Sequence, residues 1–152
     1  MIRSPERASI DRITELVYMG SRIASRKDYD RLCEVGVRAA VDLKREGADL
    51  WPFEAFLWLP TGDHQPPNPL HLQMGLSFLR RCEEAAIPVF VNCRLGVGRS
   101  ASLVLAHLLV GRYREQSVDE ALGFLLSRRP AAAPNGAQIE AAVEAARDFA
   151  RA

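Results

Sequence analysis

The chain has 152 residues, of which 48% are hydrophobic and 26% charged, as is typical of one ordinary globular domain. Lys and Arg total 20 and Asp and Glu 19, so the net charge of +1 excludes a general electrostatic attraction to nucleic acid or acidic membranes. Three cysteines without CxxC spacing cannot all pair within one chain, which favours a reducing compartment. No apolar run approaches the roughly 20 residues that span a bilayer. We therefore expect a cytoplasmic protein that neither binds nucleic acid nor inserts into membranes.

Prolines and glycines separate the predicted secondary-structure elements, and no repeat or long linker divides them, so we expect a single domain over residues 1–152. The hydrophobic pattern predicts strands at residues 13–19, 37–43, 55–59 and 88–91. It predicts helices at residues 26–34, 72–86, 100–113, 118–129 and 139–149. The first strand is expected at a sheet edge. Strands that alternate with helices predict an α/β fold, with a central, partly parallel sheet of about four or five strands flanked by helices.

A strand, a glycine-containing loop and a helix follow one another in residues 88–103, PVFVNCRLGVGRSASL. Such a loop aims several backbone N–H groups at one point, and the helix N-terminus adds about half a positive charge there, so the loop can hold an anion. Gly96 and Gly98 let the backbone approach a ligand closely. Arg99 can hold two phosphate oxygens at once, and Cys93 opens the loop where its sulfur lies beneath a captured phosphorus. A small buried cysteine beside a turn is the alternative, but it leaves the order of Cys, Gly and Arg unexplained.

The segment CRLGVGRSA resembles the CX5R phosphate loop of the protein tyrosine phosphatase superfamily and is most similar to its dual-specificity branch. The resemblance implies a three-layer α/β fold and catalysis without metal or cofactor. It makes Cys93 the nucleophile, Arg99 the ligand of the phosphate and the transition state, and Ser100 the hydroxyl that helps the thiolate leave. It also assigns phosphate binding to the rest of the loop: Arg94, Leu95, Gly96, Val97 and Gly98. The family usually has His before the cysteine, and Asn92 in its place predicts lower activity or a higher pKa of the thiol.

A leaving alkoxide or phenoxide must be protonated, which requires a carboxylic acid near the phosphate. Asp63 stands 30 residues before Cys93 in LPTGDHQPPNP, and this segment resembles the general-acid loop of the family. Asp42, inside a predicted strand, and Asp49 are weaker candidates. The stretch DHQPP is similar to the corresponding loop of phosphatases that act on phosphoinositides, so His64 is either an anion contact or a solvated loop residue.

Similarity to the family continues in YMGSRIAS, LCEVGVRAAVDL and RRPAAAPNGAQIEA. In the last of these, Asn135 begins the final helix and is expected to support the fold rather than the chemistry. Arg94 is expected to face the substrate or to be a solvated surface residue. Arg128 and Arg129 are expected to close a helix and to need no ligand, and Trp58 to lie in the core.

These features together predict a monomeric, metal-independent phosphatase that acts on phosphorylated proteins or small phosphomonoesters. Phosphotyrosine is the expected protein substrate, with phosphoserine and phosphothreonine as a wider range. A phosphoinositide or other non-protein phosphate is the alternative substrate. A phosphate-binding pseudophosphatase is a rival for which Asn92 argues, although Cys93, Arg99, Ser100 and Asp63 are all retained. A rhodanese-like sulfurtransferase or an arsenate reductase is a further rival, against which the closing Arg99 and the position of the loop in the chain both argue.

Overall fold

The computed structural model describes residues 7–152, which form five strands and five helices in the order strand, strand, helix, strand, strand, helix, strand and then three helices. The strands are β1 (Ile10–Arg12), β2 (Val17–Gly20), β3 (Ala39–Lys44), β4 (Ala55–Thr61) and β5 (Val89–Asn92). The helices are α1 (Arg26–Glu34), α2 (Pro69–Glu84), α3 (Arg99–Val110), α4 (Val118–Arg128) and α5 (Gly136–Arg151).

The strands form one mixed sheet in the order β1-β2-β5-β3-β4. Only β1 runs antiparallel to its neighbour, and the pairs β2–β5, β5–β3 and β3–β4 are parallel. This arrangement confirms the α/β fold with a partly parallel central sheet. Because the carboxyl ends of parallel strands meet at one edge of a sheet, the loops that follow β2, β3, β4 and β5 lie side by side.

The expected edge strand at residues 13–19 is wrong in extent and position. Residues 13–16 form the turn of a hairpin, in which the backbone N–H groups of Ile13 and Thr14 donate to Val17 O at 2.8 and 3.2 Å. Only the second half of the segment is a strand, and β2 lies inside the sheet because β1 covers its edge. The short sequence of β1, IDR, has no apolar alternation, so only its pairing with β2 defines it.

Strand β4 continues through Pro60 instead of ending before it. It is the outermost strand on its side of the sheet, where a missing N–H removes no ladder hydrogen bond. Trp58 on this strand is 45% exposed, contrary to the expected core position, and its indole N–H donates to Lys44 O at 2.7 Å.

Two layers of helices cover the sheet. Val89 and Val91 of β5 face the larger core with α3, whereas Phe90 between them packs on the other face with Leu32 of α1. Residues 99–108 of α3 are all buried, so the helix that follows the cysteine loop is the centre of the core. The loop between β5 and α3 is therefore anchored at both ends in the most deeply packed part of the molecule.

Candidate active site

The polar residues that follow the parallel strands meet at one edge of the sheet. Cys93 follows β5, Asp63 follows β4 by two residues, and Glu46 follows β3 by two. A cavity of about 210 Å³ opens at this edge. Its walls include residues 93–95 and 97–99 of the cysteine loop, together with Asp63, His64, Asn135 and Gln138.

Cys93 lies at the base of this cavity and is 2% exposed. Its sulfur is 3.2 Å from the hydroxyl oxygen of Ser100, which is fully buried in the first turn of α3. Cys93 thus lines the cavity while nearly all of its surface is buried, and its sulfur has a hydroxyl beside it that can donate a hydrogen bond to a thiolate.

The two loop glycines lie close to groups behind the loop. Gly96 has a φ of +67°, and a Cβ there would collide with the Gly20 carbonyl and lie 2.6 Å from Nη2 of Arg129. A Cβ on Gly98 would lie 2.6 Å from Oε1 of Gln138. Gly96 is therefore required by its positive φ and by the Gly20 backbone of β2, whereas a side chain at Gly98 would have to displace the end of the Gln138 side chain.

Arg99 is 2% exposed, and Glu46 and Thr61 accept hydrogen bonds from one side of its guanidinium. Nη1 donates to Glu46 Oε1 at 2.6 Å and to the Thr61 carbonyl at 2.8 Å, while Nη2 donates to Glu46 Oε2 at 3.0 Å. A guanidinium has five N–H groups. Within residues 7–152, the Nε–H and one Nη2–H receive no hydrogen-bond partner, and this adjacent pair matches two phosphate oxygens.

Glu46 was not anticipated from the sequence, because no motif surrounds it. The hydrogen bond from Arg99 is the main reason that the pKa of Glu46 falls to about 2, against the opposing effect of burial. Burial acts to lower the pKa of Arg99, but the hydrogen bond to Glu46 and the electrostatic interactions with Cys93, Glu46 and Asp63 together outweigh it and raise that pKa. Glu46 is therefore ionised at any pH near neutrality and orients the arginine.

Asp63 is 55% exposed on the loop after β4. Its Oδ1 lies 3.6 Å from Nη2 of Arg99 and accepts a hydrogen bond from the His64 N–H at 3.0 Å. The His64 side chain is 87% exposed, and its backbone has a φ of 62°. The carboxyl group of Asp63 thus lies beside the Arg99 guanidinium, and the next residue of the loop, His64, has a positive φ that is uncommon for a residue with a side chain.

The first turn of α5 holds this loop. Asn135 Nδ2 donates to the His64 carbonyl at 2.8 Å, and Gln138 Nε2 donates to the Gln65 carbonyl at 3.1 Å. The same two side chains cap α5 reciprocally, because Asn135 Oδ1 accepts from Gln138 N and Gln138 Oε1 accepts from Asn135 N, both at 2.9 Å. Asn135 therefore links the helix to the residue that follows Asp63, a role beyond the structural support expected from the sequence.

Asn92 is buried behind the loop, and its Nδ2 lies 3.4 Å from Asp49 Oδ2, while its Oδ1 has no partner within residues 7–152. Asp49 also accepts from Lys44 Nζ and from Ile23 N, each at 2.8 Å. Asp42 binds Lys44 as well, at 2.8 Å, and burial raises the pKa of Asp42 despite that cation. Asp42 and Asp49 are thus members of a buried ion cluster and not of the cavity wall.

Arg129 was expected to close a helix and to need no ligand, and it is the C-cap residue of α4 with a guanidinium that protein groups engage. Its side chain is 1% exposed, and it donates to the carbonyls of Gly96 at 2.8 Å and Leu95 at 3.0 Å. Its Nη1 binds Asp11 Oδ2 and Ser9 Oγ, both at 2.9 Å. Arg129 therefore fixes two carbonyl groups of the cysteine loop and connects the loop to β1.

Other kinds of site are not formed by the described residues. Between residues 7 and 152, no group of three or more His, Cys, Asp or Glu side chains is placed to hold a metal ion. Over the same residues, no helix is both long and apolar enough to cross a membrane.

Comparison with protein families finds one match that covers most of the chain. Residues 17–148 match the model for "Dual specificity phosphatase, catalytic domain". The matched region includes β2 to β5, Asp63, the whole cysteine loop and the first turn of α5.

The individual relatives described next share about a quarter of their aligned residues with this chain. The tyrosine-protein phosphatase vhp-1 of Caenorhabditis elegans is 25% identical over 138 residues, which are 88% of this chain and 20% of the relative. The phosphatidylglycerophosphate phosphatase PTPMT2 of Arabidopsis thaliana is 27% identical over 128 residues, which are 79% of this chain and 55% of the relative. This chain thus spans from a fifth to about half of these relatives. The crystal structure of human DUSP28 has the same fold, with a TM-score of 0.77, 24% identity, and coverage of 93% of this chain and 95% of that one.

Proposed function

Because this chain belongs to the family of dual specificity phosphatase catalytic domains, we propose that it hydrolyses phosphomonoesters, with phosphotyrosine in proteins as the first substrate class. The observation that supports this most is the shared cavity of Cys93, Arg99 and Asp63, with two N–H groups of Arg99 left for phosphate. The proposal also includes phosphoserine and phosphothreonine in proteins as further substrates. The reaction needs no metal, since sulfur supplies the nucleophile and the loop supplies the positive charge.

In the first step, the Cys93 thiolate attacks phosphorus and the bond from phosphorus to the leaving oxygen breaks. Asp63 gives its proton to that oxygen. The two remaining N–H groups of Arg99 and the backbone N–H groups of the loop bind the equatorial oxygens as the phosphorus becomes trigonal bipyramidal. The products of this step are the free alcohol or phenol and a cysteinyl-phosphate.

In the second step, water attacks the cysteinyl-phosphate and the Asp63 carboxylate takes a proton from it. The bond between phosphorus and sulfur breaks, and the electron pair returns to Cys93. Ser100, whose hydroxyl oxygen is 3.2 Å from the sulfur, donates a hydrogen bond to the departing thiolate. Inorganic phosphate then leaves the cavity.

The test is hydrolysis of p-nitrophenyl phosphate in the absence of metal, with vanadate as the competitor. We expect turnover by the wild type, inhibition by vanadate, no turnover by Cys93→Ser and slower turnover by Asp63→Asn, with a loss of about 100-fold or more when phenyl phosphate, which has a poor leaving group, replaces p-nitrophenyl phosphate. Asp148→Asn is the matched control, since Asp148 is an exposed carboxylate on α5 that does not line the cavity. A Cys93→Ser protein that retains activity would exclude the cysteinyl-phosphate mechanism.

A phosphate-binding domain without turnover is the second candidate, and Asn92 is the observation that favours it. The buried amide leaves Oδ1 without a partner and carries no charge where the family usually has His. Wild-type protein that binds vanadate but releases no p-nitrophenol would support this candidate. Restoration of turnover by Asn92→His would then identify the residue responsible.

A further inference from the structure

A second cavity, of about 380 Å³, lies beside the catalytic one. Its walls are Arg22, Lys44, residues 46–49 and Arg94. Arg94 also lines the catalytic cavity, so this single side chain borders both. The backbone N–H of Arg22 donates to the Arg94 carbonyl at 3.0 Å, which holds the two arginines on adjoining segments.

The carboxylates on the wall of this cavity are already engaged by cations. Asp49 binds Lys44 at 2.8 Å, and Glu46 binds Arg99 at 2.6 Å. Arg22 and Arg94, in contrast, form no ion pair with any carboxylate of residues 7–152. The Nε of Arg22 is buried and has no hydrogen-bond partner there, which is a costly state for a charged donor unless a ligand supplies the acceptor.

We infer that Arg22 and Arg94 form a subsite for a second phosphate group of the same substrate. The inference rests on the proposed hydrolysis of phosphomonoesters, and it names a non-protein substrate as the alternative to phosphotyrosine: a small sugar or polyol that carries phosphates on neighbouring ring carbons. Since Arg94 borders both cavities, the two phosphates must lie within reach of one guanidinium. The catalytic cavity, at about 210 Å³, is also smaller than the roughly 300–1,000 Å³ of pockets that enclose a whole small ligand, so the ring lies between the two cavities.

The first experiment compares hydrolysis of myo-inositol 4,5-bisphosphate with that of the 4-phosphate and the 5-phosphate. We expect kcat/KM for the bisphosphate to be about tenfold higher, because a charge-assisted contact to the second phosphate is made in one case alone. Arg22→Gln should bring this ratio near one, and Arg22→Lys should retain part of it. Arg45→Gln is the matched control, since Arg45 lies on the same loop as Glu46 and has the same charge but does not line the cavity.

Two outcomes would overturn the subsite. One is equal kcat/KM for the bisphosphate and both monophosphates in the wild type. The other is an equal fall in the ratio of kcat/KM for the bisphosphate to kcat/KM for the monophosphates in Arg22→Gln and Arg45→Gln. That result would assign the preference to the overall electrostatic field of the protein rather than to a subsite. A gain seen only with a peptide phosphorylated at residues i and i+2, against its singly phosphorylated forms, would overturn the ring substrate in favour of a doubly phosphorylated peptide.

Calorimetry with the Cys93→Ser protein separates this inference from the proposed function. We expect the bisphosphate to bind about tenfold more tightly than either monophosphate, and Arg22→Gln in the same background to remove the difference. If p-nitrophenyl phosphate is not hydrolysed but this difference is found, the proposed function fails and the subsite stands. If p-nitrophenyl phosphate is hydrolysed and no difference is found, the enzyme stands and the subsite fails.

Discussion

At the scale of single residues, Asn135 serves two structures at once. Its Oδ1 caps α5, and its Nδ2 donates to the His64 carbonyl at 2.8 Å, next to the proposed general acid Asp63. The two roles can be separated, because Ser is also a good N-cap residue but has no amide N–H to reach the loop. Asn135 is therefore a positioning residue whose effect is expected in the proton-transfer part of the reaction.

We predict that Asn135→Ser lowers kcat about tenfold for phenyl phosphate and less for 2,4-dinitrophenyl phosphate, whose leaving group hardly needs a proton. Kinetics across a series of leaving groups would measure this. Asn68→Ser is the matched control, since Asn68 caps α2 with its side chain, which accepts from His71 N at 2.8 Å. An equal loss for all leaving groups would contradict the positioning role.

At the scale of elements, the phosphate loop is held from outside by the segment that ends α4. Arg129 donates to two loop carbonyls and pairs with Asp11 at 2.9 Å, so it connects α4, the loop and β1. Removing one partner of a buried ion pair leaves the other groups without compensation. Removal of this side chain is therefore expected to destabilise the fold and to change the conformation of the loop.

We predict that Arg129→Met lowers the free energy of unfolding by about 3 kcal/mol, which is less than a fully buried pair would cost because Asp11 is 37% exposed. The melting temperature should fall by about 6–12 °C, and vanadate should bind more weakly. Arg128→Met is the control one residue away, since Arg128 is exposed and its guanidinium lies over the Phe124 ring at 5.2 Å. Equal losses in the two variants would show that the loop does not depend on Arg129.

At the scale of the whole molecule, the buried His107 in the last turn of α3 makes stability depend on pH. It is 7% exposed, and burial lowers its pKa below the usual 6.5, although Glu83, 3.9 Å away, acts in the opposite direction. Below pH 6.5 the unfolded chain therefore binds a proton that the folded chain does not. Stability falls as the pH decreases from about 6.5 toward the folded pKa, by at most about 1.4 kcal/mol per pH unit.

We predict that His107→Leu flattens this dependence, so that the loss of unfolding free energy between pH 7.5 and 5.5 is about 1 kcal/mol smaller than in the wild type. Urea denaturation at the two pH values measures the difference. Glu46 does not interfere with this measurement. Its pKa is lowered to about 2, so the stability that its ionised form contributes is lost only between pH 4.5 and 2. Equal losses of unfolding free energy in His107→Leu and the wild type between these two pH values would contradict the prediction.

Local patterns predicted most of the fold and part of the site. The stretch from Cys93 to Arg99 is contiguous, and the strand before it and the helix after it have clear hydrophobic patterns. Glu46 and Arg129 escaped prediction because their partners are distant in the chain, 53 residues for Glu46 and Arg99 and 33 for Arg129 and Gly96. Strand β1 escaped because three residues without apolar alternation become a strand only when they pair with β2.

By itself, the sequence determined the family, the α/β class and the order of strand, loop and helix that carries Cys93, because these depend on residue types at short spacing. Only the tertiary structure decided which donors of Arg99 stay available, which helix supports the Asp63 loop, and that a second cavity adjoins the first. The physical reason is that parallel strands bring distant loops to one edge of the sheet. Contacts among those loops depend on the packed arrangement of the sheet and its helices, which no local pattern of residues contains.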